Sequence, residues 1–174
     1  MSETVTMRLA TPDDQAILDH WYTLPHIIET SGSDGGMDWG YELPRDVDWR
    51  EIFITELDGK PIGVFVIIDA EKEETHYWGD TGPGVMAIDI WIGAKECIGK
   101  GYGFQMMSFA LDRCFADPAV HTVLIDPLVS NKPAIGFYEK MGYRFVEERF
   151  FDDDHCHVMR YSRKDWLSKK ADWA

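Results

Sequence analysis

Residues 85–127 run VMAIDIWIG, AKECIGKGYG, FQMMSFALDRCFAD, PAV and HTVLIDP. The first stretch is apolar and rich in isoleucine, as a well-buried strand requires. Three glycines follow at alternate positions, then an apolar-faced helical stretch, then a second short strand halted by Pro127. A strand–helix–strand unit within one sheet joins parallel strands by a right-handed crossover in nearly every case. This unit should therefore be a right-handed crossover between parallel strands.

The flanking segments supply the rest of a mixed sheet. TVTMRLA (4–10) alternates as a strand, and Thr11-Pro12-Asp13 then opens a helix in which Ile17, Leu18, Trp21 and Tyr22 share a face. Residues 26–46 begin apolar and turn rich in Gly, Asp and aromatics, which reads as a short helix and an irregular loop. In EIFITELDGKPIGVFVII (51–68), Asp58-Gly59 between two β-rich runs signals a hairpin with a type I′ turn. Residues 69–84 are a polar connection. Asn131 opens a helix over 132–142 that Gly142 ends. YRFVEERFF and CHVMRYS read as a second hairpin joined by the acidic turn DDDH, and RKDWLSKKADW as a polar terminal helix. The order predicts a mixed α/β sheet covered by helices on both faces. With 174 residues, no repeats and no linker-like stretch, one domain over 1–174 is expected.

Charge and cysteine use narrow the surroundings. A formal net charge of −14 disfavours nucleic acid and anionic membranes as partners and suits a cationic small molecule, although excess acid also serves solubility. No apolar run reaches the length of a membrane span, and the first fifteen residues lack a secretory pattern. Cys97, Cys114 and Cys156 are irregularly spaced, as fits reduced thiols in the cytoplasm. His155-Cys156-His157 has no further ligand spaced to complete a metal site, so no metal is expected.

A strand, alternate glycines and a helix N-terminus suit a phosphate. Backbone N–H groups of the first turn point outward, and glycine lets the chain adopt positive φ and approach a ligand. Neither a P-loop, which needs G-x-x-x-x-G-K-S/T, nor a G-x-G-x-x-G dinucleotide fingerprint is present. By themselves the three glycines are equally a turn without a ligand.

With its surroundings, however, I-G-K-G-Y-G (98–103) resembles the acetyl-CoA loop Q/R-x-x-G-x-G/A of the GNAT N-acetyltransferase superfamily. Asn131, Ala134, Tyr138, Gly142 and Tyr143 are similar to its N-x-x-A-x-x-x-Y-x-x-x-G-F/Y segment. Ile98 departs from the usual Gln or Arg. The runs GPGVMAIDIWIG, CFADPAV and IDPLVSNKPAIGFYEKMGY look like those of aminoglycoside 6'-N-acetyltransferases. The resemblance covers 51–161 well and the N-terminal part loosely. It implies a mostly antiparallel sheet whose parallel strands splay at an acetyl-CoA site. It also implies cofactor contacts from Ile90, Trp91, Ile92, Ile98, Gly99, Lys100, Gly101, Tyr102, Gly103, Phe104, Asn131, Ala134 and Tyr138. The acetyl-CoA core would span 85–143, and acceptor loops 26–50 and 69–84.

The residues themselves point to acid–base work. Asp89 sits in mid-strand on one face with Ala87 and Trp91, and a carboxylate there is costly to bury without a partner. Asp126 repeats the oddity at the end of VLID. Either alone is equally a buried structural acid bonded to backbone amides; the pair and the resemblance favour a cleft. A protonated amine must lose a proton before it attacks a thioester. Asp89 is the candidate to take it, directly or through water, and Asp126 the candidate to hold the cation. A backbone N–H of 90–93 would polarise the carbonyl, and Tyr138 would protonate the departing thiolate, as the resemblance implies. Tyr138 out of its motif reads rather as core. Glu73, Glu74, Tyr77, Trp78 and Asp80, with Asp34, Asp38, Trp39, Tyr41 and Glu42, could form an acidic, aromatic mouth for an amino sugar or polyamine, although most of these acids taken singly read as a solvated polar loop. The expectation is direct acetyl transfer in a ternary complex to an aminoglycoside amine, with polyamine, siderophore precursor or protein lysine as alternatives. A non-catalytic acyl-CoA-binding module competes, but the chain keeps Asp89 and Tyr138. Edge strands at the C-terminal hairpin are compatible with a homodimer.

Overall fold

The computed structural model describes residues 3–33 and 36–173. Among the described residues the strands are β1 (Thr6–Leu9), β2 (Arg50–Leu57), β3 (Lys60–Asp69), β4 (Val85–Ile92), β5 (Thr122–Ile125), β6 (Arg144–Phe151) and β7 (Asp154–Ser162). The helices are α1 (Gln15–Trp21), α2 (Pro25–Ile28), α3 (Trp39–Glu42), α4 (Tyr102–Ala116), α5 (Lys132–Met141) and α6 (Arg163–Trp173). The hydrogen-bonded strand order is β1-β2-β3-β4-β5-β7-β6. β4 and β5 are parallel, Val85–Ala87 lying opposite Thr122–Leu124, whereas β1–β2, β5–β7 and β6–β7 pair antiparallel.

The chain divides into two compact units, Met1–Ile67 with Asp89–Phe109, and Ile68–Ile88 with Ala110–Ala174. In the first, Phe53 stacks on Phe65 at 5.1 Å, and both meet Phe109 edge-on. Arg8 on β1 grips the buried Asp14 with two guanidinium nitrogens at 2.8 and 2.9 Å, and Asp14 also accepts from the Thr11 amide. Those bonds, the Arg8 bond above all, hold the Asp14 carboxyl below the usual range. In the second unit, Arg163 donates to the carbonyls of Phe115, Asp117 and Val120. A guanidinium at the carboxyl end of α4 satisfies orphan acceptors and complements the helix dipole. Tyr161 is buried with its hydroxyl donating to Met141 at 2.8 Å, and burial pushes it up to about 12.

Local chemistry explains most boundaries. Asp58 and Gly59 both have positive φ (51° and 77°), as a type I′ turn demands. Gly142 ends α5 at φ 120°, where its amide closes on Tyr138 and Glu139. Two boundaries differ from expectation. α4 starts at Tyr102 rather than 104, taking Gly103 into the helix. The second hairpin turns on Asp152-Asp153 alone, because Phe150 and His155 stack across the strands at 4.5 Å and carry the ladder further.

Candidate functional site

The glycine loop is built by pinning its ends. Cys97 and Tyr102 are both buried in a cluster with Val5 and Ile62, against which Ile92 and Ala94 also pack. Between those anchors, residues 98–101 are exposed, Ile98 by 48%. Gly99 and Gly101 hold φ of 77° and 87°, a region that costs side-chain-bearing residues strain. A Cβ at Gly99 would meet nothing within 4 Å, so conformation rather than space explains this glycine. Gln105 is the first amide of α4 to close on the loop, reaching the Gly101 carbonyl at 3.4 Å. The amides of Tyr102 and Gly103 belong to the first turn of the helix, ahead of its regular ladder. The Gln105 side chain ties this turn to the N-terminal segment through the Val5 amide and the Glu3 carbonyl. Positive-φ glycines, open space over Gly99 and first-turn amides fit a phosphate group.

The strand leading into this loop carries Asp89, half-buried, two residues before Trp91 and so on the same face of β4. Trp91 packs edge-on against Tyr22 and Trp39, with ring centroids 6.1 and 6.3 Å apart, and Tyr22 lies 5.7 Å from Trp39. Reading the sequence by segments missed this aromatic trio, since its members sit 17 and 52 positions apart along the chain. His26 on α2 also meets this strand, with Nε2 at 3.0 Å from the Ile92 carbonyl.

In the second unit, Asp126 follows β5 and is half-buried. Tyr138 lies on α5, 8% exposed, with its ring near Phe137 (5.6 Å) and Tyr143 (5.7 Å). Asn131 caps α5 by accepting from the Ala134 amide at 3.4 Å, which gives both motif residues a role in the helix itself.

Most of the expected acidic, aromatic mouth has other employment. Trp39 is 1% exposed and Trp78 7%, so both pack within the protein. Asp38 caps α3 by accepting from the Tyr41 amide. Glu42 pairs with Arg45 and Arg50. The buried Glu73 accepts from the Thr75 and Tyr77 amides and the Thr75 hydroxyl, holding its own turn. Tyr77 stacks on Phe151 at 4.3 Å, and Arg149 donates to the Trp78 carbonyl, so 69–84 is a braced segment rather than a loose one. Sequence alone does not show which carboxylates the backbone will recruit. Glu74 and Asp80 remain on the surface. Asp34 lies outside the described residues. His155 pairs with Glu148 at 3.0 Å and Cys156 is buried; among the described residues no group of three or more His, Cys, Asp or Glu is arranged to hold a metal.

A family model described as an acetyltransferase (GNAT) domain matches residues 10–151. The "Aminoglycoside N(6')-acetyltransferase type 1" of Klebsiella pneumoniae is 31% identical over 150 residues, covering 82% of this chain and 75% of that protein. Among solved structures, an aminoglycoside acetyltransferase AAC(6')-Ib in complex with coenzyme A superposes with a TM-score of 0.85 at 29% identity, over 96% of this chain and 99% of that one. The same relative with ribostamycin and coenzyme A gives a TM-score of 0.86 at 28% identity, over 98% and 99% of the two chains.

Proposed function

The chain belongs to the GNAT acetyltransferase family, and on that premise we propose that it acetylates a primary amine of an aminoglycoside, using acetyl-CoA. The observation that carries the cofactor assignment is the loop pinned at Cys97 and Tyr102, with Gly99 and Gly101 at positive φ directly before α4. Similarity to an aminoglycoside acetyltransferase across four-fifths of the chain supports the acceptor class.

Acetyl-CoA supplies the acyl group as an activated thioester. In this reading, amides from Gly99 to Phe104 receive its pyrophosphate, and the Ile90–Ile92 backbone aligns the thioester arm and polarises its carbonyl. Asn131 and Ala134 shape the start of α5 near the cofactor. Asp89 accepts the ammonium proton, directly or through water, so that a neutral amine attacks. Asp126 and Glu74 hold the cationic acceptor by charge-assisted hydrogen bonds. Tyr138 donates its phenolic proton to the departing thiolate. Transfer is direct within a ternary complex, without an acyl-enzyme.

We read residues 1–174 as one acetyltransferase domain, supported by a family match that spans both compact units. A cytoplasmic setting fits three buried free thiols; among the described residues no helix is long and apolar enough to cross a membrane. The strand β6 ends the sheet order and exposes Phe145 and Phe150, the latter by 65%, which supports a homodimer through that edge.

The deciding experiment is a thiol-release assay with acetyl-CoA across aminoglycosides, polyamines and lysine peptides. Release with aminoglycosides alone supports the proposal; release only with spermidine or a peptide moves the acceptor class. Acetyl-CoA binding without release under any amine favours a non-catalytic module.

A further inference from the structure

We propose that His26 is a positioning residue for acetyl transfer, fixing the end of β4 so that the Ile90 and Ile92 amides keep the direction needed to meet the thioester. The inference rests on the acetyltransferase reading above.

The peptide between Ile92 and Gly93 orients the end of β4. The Gly93 amide donates to the Ile62 carbonyl of β3 at 2.9 Å. In a trans peptide the N–H and C=O point in opposite directions, so the Ile92 carbonyl faces away from β3. The neighbouring residue agrees: the Trp91 carbonyl lies 2.7 Å from where a Cβ on Gly63 of β3 would stand. Polar groups of successive strand residues alternate between the two edges. Those of Trp91 therefore face β3, and those of Ile90 and Ile92 face the opposite edge. The parallel register with β5 covers only Val85–Ala87, so Ile90 and Ile92 lie beyond it.

On that edge the acceptor of the His26 bond is the Ile92 carbonyl, at 3.0 Å. A carbonyl cannot donate, so His26 carries its hydrogen on Nε2. Its side chain is held in place from below: Pro25 opens α2, and Ile27 beside it is buried. A second contact from the same segment closes the clamp, because the Trp21 ring occupies the space a Gly93 side chain would need. Two successive residues at the exit of β4 are thus held by α1 and α2. His26 also opens the 26–50 segment, so the strand end and the expected acceptor loop are fastened at one point. A reacting carbonyl displaced by about 1 Å from its donor can lose 100-fold in rate, which is why a single bond here matters.

The test compares wild type with His26→Phe, a ring without the donor, and His26→Gln, whose amide N–H takes the place of Nε2–H. Thiol release from acetyl-CoA is measured with kanamycin or, failing turnover, with the other amines of the screen. His26→Phe should lower kcat by about 10- to 100-fold while KM for acetyl-CoA stays within about 2-fold, the pattern of an interaction needed in the transition state. His26→Gln should recover most of the loss. A Phe variant with wild-type kcat, or a Gln variant as slow as the Phe variant, overturns the proposal. Should His26→Phe not fold, nitrogen NMR of the imidazole in the wild-type protein decides: the Nε2–H tautomer is required, and Nδ1–H overturns it. Wild type inert toward every amine overturns the acetyltransferase reading itself, and the tautomer then reports separately on the His26–Ile92 bond.

Discussion

The indole of Trp21 lies so close to Gly93 that a Cβ at position 93 would fall 1.9 Å from its Cδ2 atom. Gly93 is needed for space, since its φ is not in the left-handed region. Gly93→Ala must push the ring or the strand end aside, an overpacking that typically costs ~1–3 kcal/mol. Thermal unfolding should show a clearly lower midpoint. An unchanged midpoint would mean that the Trp21 ring yields freely.

Gly99 makes the opposite case. A methyl group there has open space but inherits a φ of 77°. Gly99→Ala should cost about 1–2 kcal/mol in backbone strain if the loop keeps its shape. If it relaxes instead, the amide cradle is lost. In that second case KM for acetyl-CoA should rise, while Gly82→Ala, also at positive φ in open space but remote in sequence, should leave it alone. Steady-state kinetics on both variants separate the loop's role in binding from general strain.

Asp89→Asn keeps the size of the side chain and removes the base. Acetyl-transfer turnover should fall by about 100-fold or more, in the range of general-base contributions. The acetyl-CoA-induced rise in melting temperature should persist, because ligand binding to the native state alone sets that shift. Undiminished turnover would return Asp89 to a structural role.

Tyr138 is almost wholly buried among Phe137 and Tyr143, so Tyr138→Phe preserves its packing. Stability should change little. Turnover under chemistry-limited conditions should slow by about 10-fold or more if the phenol protonates the leaving thiolate. A variant with full rate would show that the ring serves the core alone.

Acid titration isolates the Arg8–Asp14 pair. The Arg8 hydrogen bonds depress the folded-state pKa of Asp14, so the unfolded chain binds a proton more readily than the folded one. The pair's contribution is complete above the unfolded value of about 3.9 and fades as pH falls through the lower folded value. Asp14→Asn should therefore lower the melting midpoint at pH 7 and flatten its decline below about pH 4. Parallel acid slopes for wild type and variant would contradict the assignment.

Several elements were legible because their causes are local. Asp58-Gly59 specifies its turn through two positive φ angles, Asn131 specifies the start of α5 by its own cap, and the crossover from β4 to β5 follows from strand handedness. The glycine spacing likewise marked the loop before α4, although Gly103 proved to be helical. Side-chain destinations were less legible. Trp39 and Trp78 share the composition of a ligand-binding mouth but are buried, and Glu73 and Glu42 are recruited by a backbone turn and by two arginines.

The sequence by itself determined the order of elements, the turns and the loop with its acid–base candidates, since backbone conformation and short-range bonding depend on neighbouring residues. Only the tertiary structure decided that Tyr22, Trp39 and Trp91 meet, that Trp21 needs a glycine at 93, and that His26 holds the Ile92 carbonyl. Those contacts join residues 17 to 72 positions apart. Their energy comes from excluded volume and a single aligned hydrogen bond, which exist only once the chain has folded.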